Sequence, residues 1–168
     1  MLRDKYGADA QIEWEHHLIH DGKMFLVMDE DTDVDIGSPK YWVLRVGSSG
    51  PIHMAVQATG TAGLKIEVYE GPTITVAGSA LPVVCMNRAN LKTIGVTAEA
   101  DPTVTVDGTL IGIARAGGAT RAAGGGSARQ EASEFVLRAS TNYAVKVTVV
   151  ADNTTVTMDA SVYQPDSA

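Results

Sequence analysis

Three segments of this chain alternate apolar and polar residues with a period of two, which constrains its fold more than any other feature of the sequence. Over 64–69, Leu64, Ile66 and Val68 fall on one side and Lys65 and Glu67 on the other. Over 143–149, Tyr143, Val145, Val147 and Val149 share a face opposite Lys146 and Thr148. Over 154–163, Val156, Met158, Ala160 and Val162 oppose Thr155, Thr157, Asp159, Ser161 and Tyr163. Strands with one dry and one wet face are the units of an antiparallel, two-layer sandwich.

From Met24 onward such runs recur, separated by Gly, Pro, Asp and Asn at roughly 8–12-residue spacing, as in a sandwich or barrel. The strand candidates are 23–28, 41–46, 52–58, 64–69, 82–87, 92–98, 109–115, 133–138, 143–151 and 154–163. Asp107-Gly108, between 103–106 and 110–113, reads as a hairpin turn because that pair readily supplies positive φ. Asp152-Asn153 reads the same way, joining the last two strands in a C-terminal hairpin. Residues 1–22 lack a sustained hydrophobic period and read as an arm, with at most a short helical piece around 12–19. The expected organisation is an all-β antiparallel sandwich over 23–168 with an extended N-terminal arm over 1–22. Residues 116–128, A-G-G-A-T-R-A-A-G-G-G-S-A, have almost no large side chains to bury and are expected to be a mobile loop.

A chain of 168 residues suits one domain, which at this size hides roughly 70% of its unfolded surface. The net charge of −7 argues against nucleic acid as a partner, since phosphates need cationic contacts. The acidity is concentrated: residues 1–40 hold four Lys and Arg against ten Asp and Glu, whereas the remainder holds nine against ten. The longest uncharged stretches, 46–64 and 71–87, are broken by Gly and Pro, so no membrane span is expected. The N-terminus has no apolar core of signal-peptide kind, and the single Cys85 excludes an intrachain disulfide, so synthesis in the cytoplasm is the expectation.

Few residues suggest chemistry. His16, His17 and His20 invite a metal reading, His17 and His20 being three apart on one helical face, but H-E-x-x-H spacing and a cysteine partner are missing. We therefore read them as solvated or interface histidines. Asp31, Asp33 and Asp35 share one side of an extended strand, where a hard cation could bridge them. An EF-hand loop is not matched, because Gly37 comes one residue late, and a solvated acidic edge that discourages strand pairing is the reading we adopt. Arg121 in the Gly-rich loop, flanked by Arg115 and Arg129, lacks the Lys and following helix of a phosphate loop and suits contact with an acidic partner surface. Cys85, in Pro82-Val83-Val84-Cys85-Met86, reads as a small buried hydrophobe, and no nucleophile elbow exists. No catalytic set, cofactor or metal is assigned, and the chain reads as a non-enzyme. Trp14 and Trp42 motivate an alternative, a carbohydrate- or receptor-binding module in which an aromatic ring stacks on a sugar.

At Val68-Tyr69-Glu70-Gly71-Pro72-Thr73 the chain resembles a family of phage capsid decoration, or cement, proteins in which a strand ending in such a motif begins a long loop. The resemblance continues through Gly78-Ser79-Ala80-Leu81-Pro82, Asn87-Arg88, Asp107-Gly108-Thr109-Leu110-Ile111, Glu134-Phe135-Val136-Leu137-Arg138 and Thr141-Asn142-Tyr143. His16-His17-Leu18-Ile19-His20-Asp21-Gly22-Lys23-Met24-Phe25 resembles the family's lead-in to its first strand. Two departures are Met86-Asn87-Arg88-Ala89-Asn90 in place of N-R-N-R and Val162-Tyr163 in place of a terminal W-Y. The resemblance implies a jelly-roll-like module, a homodimer or homotrimer, on the outer surface of an icosahedral phage head, binding the major capsid protein. The alternative reading places a jelly-roll module on the virion surface or tail. Trp14, His16, His17, His20, Arg115, Arg121 and Arg129 are then the candidate capsid contacts.

Overall fold

The computed structural model describes residues 14–48, 50–116, 126–129 and 134–165. A short helix, α1 (Trp14–His20), precedes β1 (Met24–Val34), β2 (Lys40–Val46), β3 (Ile52–Gly60) and β4 (Leu64–Glu70). Five short strands follow: β5 (Thr73–Val76), β6 (Ser79–Leu81), β7 (Val84–Cys85), β8 (Val96–Ala100) and β9 (Thr103–Val106). The chain then continues through β10 (Thr109–Ala116), β11 (Gly126–Arg129), β12 (Phe135–Leu137), β13 (Asn142–Val149) and β14 (Thr154–Tyr163).

Two six-stranded antiparallel sheets carry the core. In the first the order is β11-β3-β14-β1-β7, with β12 also pairing β3; in the second it is β10-β4-β13-β2-β8-β6. Along the chain, β1, β3, β11 with β12, and β14 enter the first sheet, while β2, β4, β10 and β13 enter the second. This is the eight-stranded jelly roll, with residues 71–108 inserted between β4 and β10.

The three alternating segments are β4, β13 and β14, and each turns inward the face its sequence predicts. Ile66 and Val68, Val145 and Val147, and Val156, Met158, Ala160 and Val162 are all fully buried between the sheets. Trp42 and Leu44 from β2, Phe25 and Val27 from β1, and Ile52 and Met54 from β3 complete the layer. Tyr143 lies in the same core at 1% exposure, its hydroxyl accepting from the Arg138 backbone N–H at 2.7 Å and donating to Glu70 Oε2 at 2.9 Å. A buried phenol so placed fixes the connection entering β13 to the end of β4.

Both expected hairpins are corrected. β13 and β14 lie in different sheets, so Asp152-Asn153 crosses between layers instead of reversing within one. The Asn153 backbone N–H donates to Asp35 Oδ1 at 3.0 Å and the Ile36 N–H to Asp152 Oδ1 at 2.8 Å, a reciprocal clasp between two interlayer turns. β9 pairs with β5 and β10 with β4, so Asp107-Gly108 is a corner leaving the insertion. Gly108 has φ +94°, and a Cβ there would stand 2.4 Å from the Glu70 carbonyl oxygen, so the corner excludes any side chain.

The expected Gly-rich loop is corrected at its C-terminal end. Gly126, Ser127 and Ala128 are strand, paired with Gly60, Thr59 and Ala58 at the edge of the first sheet. Even small residues give the ladder its N–H and C=O groups. Residues 117–125 of that segment lie outside the described residues.

Candidate functional site

The described end of the arm is helical and docked. α1 closes with Gly22 at φ +67°, the Gly22 N–H donating to the Ile19 carbonyl at 2.9 Å and the Lys23 N–H to the Leu18 carbonyl at 2.9 Å. That pair of bonds is the Schellman cap, with glycine in the left-handed position it requires. Leu18 is 2% exposed, and Asn87 Nδ2 donates to the His20 carbonyl at 2.8 Å, so the insertion braces the helix from the side. Exposed His16 and His20, one turn apart, bring their Nε2 atoms to 2.9 Å, while His17 turns to Asp21 at 3.6 Å. The helical pairing is thus His16 with His20, in place of the expected His17 with His20. Trp14 begins α1, and its side chain lies outside the description.

Arg115 occupies the other end of the sandwich. Arg115 is exposed on β10 opposite Lys65, near the start of β4. Met24, next to α1, pairs with Tyr163, which pairs with His53 at the far end of β3 from Gly60. Gly60, in turn, pairs with Gly126 at the head of β11. The backbone of Arg129 pairs with Gln57 halfway along β3, and Arg121 lies outside the described residues. Arg115 and the histidines of α1 are therefore not one surface.

The aspartates are likewise separated. Asp31 is ion-paired with Lys40 and accepts from the Asp33 N–H at 3.1 Å, and Asp35 is committed to Asn153. The Lys40 hydrogen bond is the main influence holding the Asp31 carboxyl below its ordinary range. Their common side is broken by an irregularity in β1 between Asp31 and Val34. Among the described residues no group of three or more His, Cys, Asp or Glu could hold a metal ion. Among the described residues β7 pairs with Phe25 and Leu26 alone and no strand covers the acidic half of β1, where charge discourages pairing with another strand.

Sequence reasoning missed the ribbon within the insertion. β5 and β9 form a separate two-stranded ribbon, T-I-T-V against T-V-T-V, with six of its eight residues exposed. Val76 and Val106 are 60% and 59% exposed, and Leu110 and Ile113 on neighbouring β10 are also open to solvent. The matching Thr-x-Thr-Val tetrads are the signal that marks the pair.

Polar side chains on the outer face of the second sheet hold the insertion in place. Asp107 accepts from Tyr41 Oη at 2.7 Å and Lys146 Nζ at 2.7 Å, and Lys146 lies over the Tyr41 ring at 5.3 Å. Burial opposes the charge on Lys146, but Asp107 and Tyr41 outweigh it and the ammonium titrates above its usual range. Glu99 on β8 accepts from Arg45 Nε at 2.7 Å and Nη2 at 3.0 Å, and also from the Gly78 N–H at 3.2 Å. The Arg45 hydrogen bonds hold the Glu99 carboxyl below its ordinary value.

A folded-state pKa below the unfolded one means stability is present above the unfolded value of about 4.3 and lost as pH falls through the folded value. Glu99→Gln is expected to melt lower at pH 7 and to lose less on acidification from pH 6 to 3, read by thermal melts across that range. An acid slope equal to wild type would show that the Arg45 pair contributes nothing.

On the outer face of the first sheet His53 is bonded through Nδ1 to Glu134 Oε1, and Tyr163 stacks on its ring at 4.9 Å between centroids. Tyr163, first, and His53 together hold the Glu134 carboxyl low. Burial and Glu134 raise the Tyr163 phenol. The group joins β3, β14 and the lead-in to β12, closing this edge of the sheet.

Trp42 is 2% exposed, with Nε1 donating to Asp29 Oδ2 at 2.6 Å, and so presents no face to a sugar. Cys85 is buried, as its run predicts. No described helix is long and apolar enough to cross a membrane. Compared with known proteins, the chain matches no family model, and no curated protein or solved structure is similar to it at a significant level.

Proposed function

We propose that the protein decorates the outside of an icosahedral phage head, binding the lattice of the major capsid protein as a homodimer or homotrimer and stabilising it without chemistry. The observation that carries the reading is the insertion. The Tyr69-Glu70-Gly71-Pro72-Thr73 motif, by which the chain resembles the decoration family, ends β4, and the exposed valine-bearing ribbon begins at its last residue. Gly71 turns the chain there with φ +70°. A stiff sandwich presenting a ribbon of threonines with two exposed valines suits repeated contact with a regular lattice, where many copies turn weak contacts into strong retention. A binder that recognises only the assembled lattice also stabilises it by mass action.

The test is sedimentation of the purified protein with empty expanded heads and with unexpanded proheads of its parent phage. Saturable binding to expanded heads alone, at a fixed copy number per capsid subunit, is expected. Binding to neither would overturn the proposal.

A further inference from the structure

We infer that His16 and His20 form a two-point clip for a divalent transition metal of tetragonal preference, copper(II) or nickel(II). This inference is independent of the capsid reading. Both rings are exposed, and their Nε2 atoms converge to 2.9 Å. Metal–imidazole bonds of about 2.0–2.1 Å place cis nitrogens about 2.9 Å apart at a right angle and about 3.3 Å apart at the tetrahedral angle. The pair is thus within reach of one metal, and two imidazoles with the remaining positions left to water suit copper(II) and nickel(II), whereas structural zinc closes its four positions with protein ligands.

The scaffold under the clip is fixed before a metal arrives. Leu18 is buried between the two histidines in sequence, the Schellman cap locks the last turn, and Asn87 holds the His20 carbonyl. With the backbone already ordered, a metal has little more to immobilise than two rings. In the free protein one Nε2 donates its proton to the other; binding requires that ring to carry its proton on Nδ1 instead, so that both Nε2 lone pairs face the metal. Water completes the coordination. His17, drawn to Asp21, takes no part.

The experiment titrates the full chain with nickel(II) by calorimetry and with copper(II) by electron paramagnetic resonance. The wild type, His16→Ala, His20→Ala and His17→Ala proteins are compared. Loss of a supporting residue around a metal typically costs 10–100-fold in affinity, so loss of one of two ligands is expected to weaken nickel(II) about tenfold or more. His17→Ala should bind as wild type does, and copper(II) should show nitrogen superhyperfine structure that both clip variants lose. Because the rings are exposed, unchanged melting of the metal-free variants is expected and separates lost ligation from lost folding. Equal weakening by His17→Ala, or no saturable nickel(II) binding by wild type, would overturn the assignment.

Discussion

Trp42→Ala is expected to lower the melting temperature by about 10 °C, since truncating a buried aromatic costs about 3–5 kcal/mol and each kcal/mol shifts a domain of this size by about 2–4 °C. Trp42 is among the largest fully buried side chains and belongs to the core cluster that both sheets build. Its loss leaves a cavity in a layer of valines and methionines with little freedom to collapse, and strands Asp29 without its indole donor. Trp42→Phe separates the two contributions. It keeps most of the packing and removes only the N–H, so its cost should be the smaller share, about 1–3 kcal/mol for an unsatisfied partner. Circular dichroism melts decide the matter: an alanine variant within a degree or two of wild type would show that the sandwich does not close on this residue.

What was legible in the sequence divides along a physical line. Which face of a strand is dry is a local property with period two, and β4, β13 and β14 carry it in their own residues. Which strand pairs with which is not local. Asp107-Gly108 and Asp152-Asn153 both read as hairpin turns, yet the first is a corner within a continuing ribbon and the second a crossing between layers, because the same turn chemistry serves all three. β6 and β7, with three and two residues, are too short to show any period, and they exist because they complete sheet edges. The same limit governed the candidate contacts: composition singled out histidines and arginines, but only register shows that Arg115 and α1 lie at opposite ends of the strands. Among histidines spaced by one, three and four, only the built helix selects the i, i+4 pair.

Placing a charge on the ribbon is expected to separate lattice binding from folding more sharply than any other change. Val76 and Val106 bury little, so the double variant Val76→Asp, Val106→Asp should melt within about 0.5 kcal/mol of wild type, as surface substitutions do. If the ribbon is the capsid contact, each aspartate enters a desolvated interface. Hot-spot losses of about 2 kcal/mol or more per site correspond to about thirtyfold each, and together remove measurable binding to expanded heads. Val136→Asp is the control, since Val136 is 64% exposed on β12, on the outer face of the first sheet and away from the ribbon. It should bind as wild type does. Were the ribbon variant to bind normally while Val136→Asp failed, the contact face would be the first sheet, and the His53, Glu134 and Tyr163 group beside Val136 would take the ribbon's place at the capsid surface. Were both to bind normally, the apolar exposure on this fold would not be what holds the lattice, and contact through the arm end at α1 would become the next place to introduce charge.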